Sequence, residues 1–188
     1  MAAKQVPDKA TPKRAKKDDS AKPSKALHEA ARTASGLEAG AKAPAFTLPR
    51  DGGGTVSLQD FAGRKLVLYF YPRADTPGCT KESIDFSRLK PAFARAGADI
   101  LGVSADAVSA QDAFKAKHKL AISLGSDESR KMLEAYGVWQ EKSLYGRKFF
   151  GIVRSTFLIG PDQRIAQVWP RVSVDGHAEA VLAAVKAL

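Results

Sequence analysis

The sequence predicts an α/β domain in which helices cover both faces of a mixed central sheet. Short apolar runs typical of buried strands alternate with segments whose apolar residues recur at helical spacing. Two later strand-like runs flank a tight hairpin signal, and the chain closes on an amphipathic helix. Alternating strands and helices favour parallel pairing, whereas a hairpin adds an antiparallel pair. Both kinds of pairing are therefore expected in one sheet.

The predicted elements begin with a small hairpin. Residues 46–48 and 55–58 flank the stretch 51–54, which reads Asp-Gly-Gly-Gly and indicates an N-terminal hairpin extension. Residues 65–71 (KLVLYFY) are rich in Val, Leu and aromatic side chains, which is typical of a buried strand. Residues 80–93 carry apolar side chains at helical spacing and predict the helix that follows.

The alternation continues through the middle of the chain. Residues 98–104 predict another apolar strand, and residues 107–118 an amphipathic helix. Residues 120–124 can form a short strand. The segment 126–136 opens with Ser-Asp, and since both residue types cap helices, it predicts a short capped helix.

The last predicted elements are a hairpin and a helix. Residues 154–159 and 164–169 are strand-like, and residues 160–163 between them read Gly-Pro-Asp-Gln, a tight-turn signal. Asp175 is expected to cap the final helix. One face of that helix collects the apolar residues Ala178, Val181, Leu182, Val185 and Leu188.

Residues 1–36 differ from the rest of the chain in composition. They hold nine Lys or Arg against four acids and no aromatic residue, in a chain whose formal net charge is +10. Such a segment buries too little apolar surface to offset its ordering entropy. We therefore predict a disordered basic tail over 1–36 and a folded domain over 37–188. The tail is either a solubilising extension, which we favour, or a weak nonspecific contact to nucleic acid.

Composition also limits location and chemistry. No apolar stretch approaches the roughly 18 residues of a membrane helix, and no apolar segment follows the basic N-terminus as a secretion signal requires. A single cysteine excludes an internal disulfide and a metal site built on several thiolates. His28, His118 and His177 lack a paired metal-ligand spacing. We expect a cytoplasmic protein with no metal, no cofactor and no membrane contact.

The single cysteine, Cys79, stands where the predicted strand 65–71 turns into the predicted helix 80–93. A cysteine in the first turn of a helix lies close to unpaired backbone N–H groups and to the positive end of the helix dipole. Both favour the thiolate, which is the nucleophilic form of cysteine. Cys79 is therefore a candidate catalytic nucleophile, and the alternative is a small buried apolar residue.

Residues 69–83 (YFYPRADTPGCTKES) resemble the active-site segment of the peroxiredoxins. The family motif Pro-x-x-x-Thr/Ser-x-x-Cys falls on Pro72, Thr76 and Cys79, and Thr-Pro-Gly-Cys-Thr-x-Glu is similar to the bacterioferritin comigratory protein (PrxQ) subfamily. The likeness extends over about 36–188 and leaves the tail outside. Further matching segments are residues 43–49, 102–106, 136–139 and 154–159.

The resemblance implies a thioredoxin-like fold and thiol-dependent reduction of hydrogen peroxide and organic hydroperoxides, in antioxidant defence. Arg154 stands at the position of the family's active-site arginine. Its guanidinium is permanently charged, and its N–H groups can donate hydrogen bonds to a thiolate and a peroxide oxygen together. Thr76 would place a hydroxyl beside the sulfur, or serve only as the helix cap. Pro72 would end the strand and shield the site. Glu82 would either hold the arginine by an ion pair or lie exposed on the helix.

The chain departs from the subfamily in its second cysteine. Many members carry a resolving cysteine five residues after the first, where this chain has Ile84, and no cysteine occurs on a later helix. We therefore expect a 1-Cys mechanism in which thioredoxin, glutaredoxin or glutathione reduces the sulfenic acid at Cys79. A bond between two Cys79 residues is disfavoured for a nucleophile in a pocket, and we expect a monomer or weak dimer.

The sequence leaves two other functions open. A general thiol–disulfide oxidoreductase on the same fold usually needs Cys-x-x-Cys, but residue 76 is threonine. A DNA-associated protein would use residues 1–36 as its binding element and the domain as a scaffold. Salt-dependent DNA retention that disappears when the tail is deleted would favour the second function.

Overall fold

The computed structural model describes residues 1–3 and 36–188. Most of the predicted basic tail, residues 4–35, therefore lies outside the described residues. The described part of the chain forms nine strands and four α-helices. In chain order these are β1 (Thr47–Pro49), β2 (Thr55–Ser57), β3 (Lys65–Phe70), α1 (Pro77–Arg95), β4 (Ala98–Ser104), α2 (Val108–His118), β5 (Ser123–Ser126), α3 (Lys131–Ala135), β6 (Trp139–Leu144), β7 (Arg147–Ile152), β8 (Ser155–Ile159), β9 (Ile165–Trp169) and α4 (His177–Ala187).

The central sheet has five strands in the order β5-β4-β3-β8-β9. β3 pairs in parallel with β4, and β4 with β5, whereas β8 lies antiparallel to both β3 and β9. The predicted mixed sheet is therefore confirmed, together with the hairpin of its last two strands. β1 and β2 form the small N-terminal hairpin, as predicted.

β3 separates two apolar cores, because alternate side chains of a strand point to opposite faces. Leu68 and Phe70 pack in one core, and Val67 and Tyr69 in the other. α3 contributes to the first core, whereas α1, α2 and α4 contribute to the second. Helices therefore cover both faces of the sheet, as predicted. Burial on both faces explains why residues 65–71 are apolar without alternation.

The two short-range caps differ from the prediction. α3 begins after Arg130, which has a left-handed backbone with φ 63°. Asp127 lies further upstream, where its carboxylate accepts a hydrogen bond from the Leu133 N–H at 2.9 Å. α4 begins after Gly176, with φ 70°, so Asp175 is not its N-cap. In both places a left-handed residue turns the chain into the helix, and the side-chain capping rule does not apply.

Two apolar positions also differ from the prediction. β5 begins at Ser123 rather than at residue 120. Leu120 and Ile122 are buried, but they belong to the segment that leads into the strand. Buried apolar residues of a connecting segment and of a strand look alike in sequence. Leu188 is exposed, since it follows the last turn of α4 at the chain terminus.

β6 and β7 form an antiparallel hairpin that the sequence pattern did not predict. Its two-residue turn is Tyr145-Gly146, and both residues have positive φ, 49° and 76°, which is the requirement of a type I′ turn. Tyrosine seldom adopts that conformation, so the usual Asn-Gly or Asp-Gly signal is missing. Phe149 and Phe150 on β7 are 45% and 59% exposed and lie outside both cores.

Candidate active site

Cys79 lies in the first turn of α1, shortly after β3 leaves the centre of the sheet. Thr76 is the N-cap residue and has an extended backbone. Pro77 occupies the first helical position, where its missing N–H removes no hydrogen bond. The strand-to-helix junction predicted around the cysteine is therefore confirmed. The Cys79 sulfur lies at the positive end of α1. The thiol is free, and because the residue is only 1% exposed it is shielded from bulk water.

Arg154 brings a permanent positive charge to this sulfur. It lies between β7 and β8, and its Nη2 donates a hydrogen bond to Cys79 Sγ at 3.3 Å. The backbone around it is held on both sides. The Val153 N–H donates to the Val138 carbonyl at 2.8 Å, and the Val172 N–H donates to the Arg154 carbonyl at 3.0 Å. Two side chains that stand 75 positions apart in the sequence therefore meet.

Glu82 binds the same guanidinium from within α1. It follows Cys79 by three residues, a spacing that puts both side chains on one helix face. Glu82 is 1% exposed and forms an ion pair with Arg154, so it does not lie exposed on the helix. Burial raises the pKa of Glu82 to about 7, and Arg154 opposes that shift. Within the described residues, the second carboxylate oxygen of Glu82 has no hydrogen-bond partner.

Thr76 and Pro72 take different positions around this pair. The Thr76 hydroxyl donates to the carbonyl of Arg73 at 3.0 Å. The resemblance implied a Thr76 hydroxyl beside the Cys79 sulfur. In the part of the chain that the structure describes, this hydroxyl makes no hydrogen bond to that sulfur. The physical reason is that a hydroxyl has one proton, and here the Arg73 carbonyl accepts it. Pro72 lines the open side of Arg154.

Two neighbouring residues fit α1 against the guanidinium and against the sheet. A Cβ atom at Gly78 would stand 3.2 Å from Arg154 Nη2, so glycine at this position leaves room for the arginine. Ser83 Oγ and Tyr69 OH share a buried hydrogen bond of 2.8 Å that ties α1 to β3. The Pro-Gly-Cys segment therefore has a packing role beside its chemical one.

An open cleft of about 530 Å³ borders Arg154. β6 supplies one wall of the cleft, and the segment after β9 supplies another. Two cationic residues on these walls, Lys142 and Arg171, were not predicted, because no local pattern places either of them near Cys79. Burial lowers the pKa of Lys142, and the nearby positive charge of Arg154 lowers it further.

The residues that the structure describes contain no group of three or more His, Cys, Asp or Glu side chains that could hold a metal ion. His118 Nε2 lies 2.7 Å from Asp75 Oδ1, and His177 Nε2 lies 2.8 Å from Thr156 Oγ1. Burial lowers the pKa of His177 to about 4. In the same described residues, no helix is both long enough and apolar enough to cross a membrane.

Comparison with known proteins identifies the family. The model of the AhpC/TSA family matches residues 39–168. The chain belongs to this family. It is 47% identical over 146 residues to a putative peroxiredoxin bcp of Coxiella burnetii, covering 78% of this chain and 97% of that protein. It is 49% identical over 147 residues to peroxiredoxin Bcp of Xanthomonas campestris, covering 77% of this chain and 92% of that protein.

Solved structures give the same result. A cysteine-to-serine variant of Xylella fastidiosa PrxQ has a TM-score of 0.77 and 40% identity, covering 80% of this chain and 96% of that one. Xanthomonas campestris bacterioferritin comigratory protein, described for its alkyl peroxide reduction activity, has a TM-score of 0.73 and 48% identity, covering 76% and 90%. The chain is therefore a Bcp/PrxQ-type peroxiredoxin with a thioredoxin-like fold, and an enzyme that reduces peroxides with thiols.

Proposed function

We propose that this peroxiredoxin works by a 1-Cys mechanism, in which Cys79 attacks the peroxide and an external thiol restores it. One observation carries the proposal: the single cysteine of the chain lies at a helix N-terminus, with Arg154 Nη2 at 3.3 Å from its sulfur. A guanidinium and unpaired backbone N–H groups favour the thiolate, which is the form that attacks. The substrates are hydrogen peroxide and organic hydroperoxides.

The oxidation step breaks the O–O bond of the peroxide. The Cys79 thiolate attacks one oxygen and becomes a sulfenic acid, and the other oxygen takes a proton and leaves as water or alcohol. During this step, negative charge moves from the sulfur to the leaving oxygen. Arg154 already lies beside the sulfur before the peroxide arrives. It therefore meets the developing charge without rearrangement, as preorganised donors do in other enzymes.

Three residues support Cys79 and Arg154 in this proposal. Glu82 holds the guanidinium through their buried ion pair. The Thr76 hydroxyl donates its hydrogen bond to the Arg73 carbonyl, so the lone pairs of its oxygen can accept a hydrogen bond from the peroxide. Pro72 lines the cleft next to Arg154, where we expect its ring to shield one side of the site.

The resolving thiol comes from outside the chain in this proposal. Ile84, at the position where many members of the family carry a resolving cysteine, is 41% exposed on α1, and the sequence contains no second cysteine. The sulfenic acid therefore condenses with thioredoxin, glutaredoxin or glutathione. A disulfide between two Cys79 residues is not favoured, because each sulfur is almost fully buried. We expect the protein to act as a monomer or weak dimer in the cytoplasm.

Replacement of the nucleophile tests this proposal. In Cys79→Ser, peroxide consumption with glutathione or a thioredoxin system should fall to background, because a serine hydroxyl is not ionised at neutral pH. Ile84→Ser is the matched control, since it changes an exposed residue of the same helix and should keep the activity. Circular dichroism checks that both variants fold. More than a trace of activity in Cys79→Ser would remove Cys79 from the mechanism.

A further inference from the structure

We propose that the cleft beside Arg154 selects the resolving thiol, and that this thiol is a small molecule carrying carboxylates, of which glutathione is an example. The inference rests on the proposed 1-Cys mechanism, because only then does an external thiol have to reach the sulfenic acid. It adds the chemical class of that thiol and two residues that recognise it, Lys142 and Arg171.

Both cations are held in the same cleft as the guanidinium beside the sulfur. Lys142 lies on β6, and its ammonium group donates to the Ile152 carbonyl at the end of β7. Arg171 precedes Val172, whose N–H donates to the Arg154 carbonyl at 3.0 Å. Backbone contacts therefore bring Lys142 and Arg171 to two walls around Arg154.

No acidic side chain of the described residues balances the charges of Lys142 and Arg171. Among the residues that the structure describes, neither cation forms an ion pair, whereas Arg154 is paired with Glu82. Glu141 also lines the cleft, but its carboxylate lies 2.9 Å from the ammonium group of Lys148. Burial and the charge of Arg154 both disfavour protonated Lys142 and lower its pKa. An anion in the cleft would relieve this repulsion.

Size and charge favour a thiol over a peroxide as the molecule that fills the cleft. Hydrogen peroxide is small and neutral and does not need a space of about 530 Å³. Alkyl hydroperoxides are larger but are neutral as well, so they do not need two additional cations. The volume of the cleft is within the range of small-molecule sites, about 300–1,000 Å³. A tripeptide thiol with two carboxylates can bind Lys142 and Arg171 while its sulfur approaches Arg154. The cations also favour the thiolate of the incoming molecule, which is its reactive form.

The resolving reaction then runs in two steps that balance. The first thiolate attacks the Cys79 sulfur, an S–S bond forms, the S–O bond breaks, and the oxygen leaves as water after taking a proton. A second thiolate attacks the sulfur of the small molecule in this mixed disulfide and releases Cys79 as a thiolate. Two thiols supply the two electrons. Since Cys79 is 1% exposed, the first attack requires movement of Arg154 or of the first turn of α1.

The experiment separates the peroxide step from the thiol step. Intact mass follows the oxidation of Cys79 by one equivalent of hydrogen peroxide, and then its reduction by glutathione or by glutathione diethyl ester, whose carboxylates are blocked. Each thiol rate is divided by the rate of the same thiol with a free disulfide, which removes its intrinsic reactivity. We expect glutathione to be about tenfold faster or more, the scale of electrostatic steering. The advantage should shrink as ionic strength rises.

Charge-removing variants assign the selectivity to residues. Lys142→Gln with Arg171→Gln should slow the glutathione step at least tenfold more than the peroxide step, and should change the ester reaction little. Lys186→Gln is the matched control, because it removes an exposed cation of α4 that does not line the cleft. Should the double variant fail to fold, the single variant Arg171→Gln replaces it, since Arg171 is exposed and its substitution should not disturb the fold. Its rates with glutathione and with the ester are then compared in the same way.

Two results would overturn the inference. In one, glutathione and its ester react equally fast after normal oxidation of Cys79, which removes the charge selectivity and leaves the 1-Cys mechanism intact. In the other, the Lys142 and Arg171 variants slow the peroxide step as much as the thiol step, which assigns the cleft to the peroxide. Failure of peroxide to oxidise Cys79 at all would overturn the proposed mechanism and this inference together.

Discussion

The two sides of Cys79 differ in how their charges are balanced. On the α1 side, Arg154 pairs with Glu82, which is buried. On the cleft side, Lys142 and Arg171 border an open space and form no ion pair within the described residues. A buried pair is held in one geometry before the substrate arrives, whereas open cations attract anions from solution. We therefore expect changes on the α1 side to alter the peroxide chemistry, and changes on the cleft side to alter the choice of thiol.

Arg154→Lys should give the largest effect on the α1 side. Lysine keeps the positive charge, so Cys79 stays partly activated. It lacks the second guanidinium nitrogen that lets Arg154 contact the sulfur and Glu82 together. We expect the rate of Cys79 oxidation by hydrogen peroxide to fall by about 10²-fold or more, the scale of losing a preorganised donor. Arg171→Lys on the cleft side is the matched control. A rate for Arg154→Lys close to that of the wild type would contradict the role of the guanidinium.

Ile84→Cys should change the product rather than the rate of oxidation. A cysteine there offers the sulfenic acid an internal thiol, once the helix between the two positions partly unwinds. We expect an internal disulfide after stoichiometric peroxide, and protection of Cys79 from oxidation to sulfinic acid. Mass spectrometry under non-reducing conditions measures both, with Ile84→Ser as the control. Equal overoxidation in the two variants would show that α1 does not open at this site.

Glu82→Gln should give the smallest effect, and one that depends on pH. Burial raises the pKa of Glu82 to about 7, so the folded protein holds this proton more tightly than the unfolded chain. The contribution of Glu82 to the free energy of unfolding should therefore fall as pH rises from about 5 to 7, by on the order of 2 kcal/mol. His177, whose pKa burial lowers to about 4, contributes in the opposite direction over this range in both proteins. The Gln variant should lack the Glu82 contribution, so the difference in the free energy of unfolding between wild type and variant should carry this pH dependence.

Denaturant titrations across the same pH range measure the Glu82 effect, with Glu134→Gln, an exposed position of α3, as the control. The peroxide rate of Glu82→Gln should drop a few-fold above pH 7, where wild-type Glu82 is ionised and holds Arg154. It should approach the wild-type rate at pH 6. An unchanged slope of stability in Glu82→Gln would show that another group titrates.

Local sequence predicted the α1 side as far as one chain segment extends. The position of Cys79, the N-cap position of Thr76 and the strand before them follow from a continuous run of residues, because strand and helix signals are short-range. The Thr76 side chain occupies this position without making a capping hydrogen bond. Arg154 stands 75 positions away. Its place beside the sulfur depends on the pairing of β8 with β3, so only the resemblance to a family indicated it.

The cleft side was missed for a different physical reason. Lys142 reaches the site on a hairpin whose turn places Tyr145 at φ 49°, a conformation that tyrosine seldom adopts. Arg171 reaches it through a loop that is held by backbone hydrogen bonds, which are not sequence-specific. The same limit applies to α3 and α4, whose starts depend on the left-handed residues Arg130 and Gly176.

The 1-Cys mechanism is tested by the intact mass of the protein after one equivalent of hydrogen peroxide, with no thiol added. We expect a monomer that has gained one oxygen atom and reacts with a sulfenic-acid reagent. Excess peroxide should add a second oxygen, because no neighbouring thiol competes for the sulfenic acid. Glutathione should return the first product to its starting mass. A stoichiometric Cys79–Cys79 dimer, or a mass that peroxide does not change, would rule out the 1-Cys mechanism.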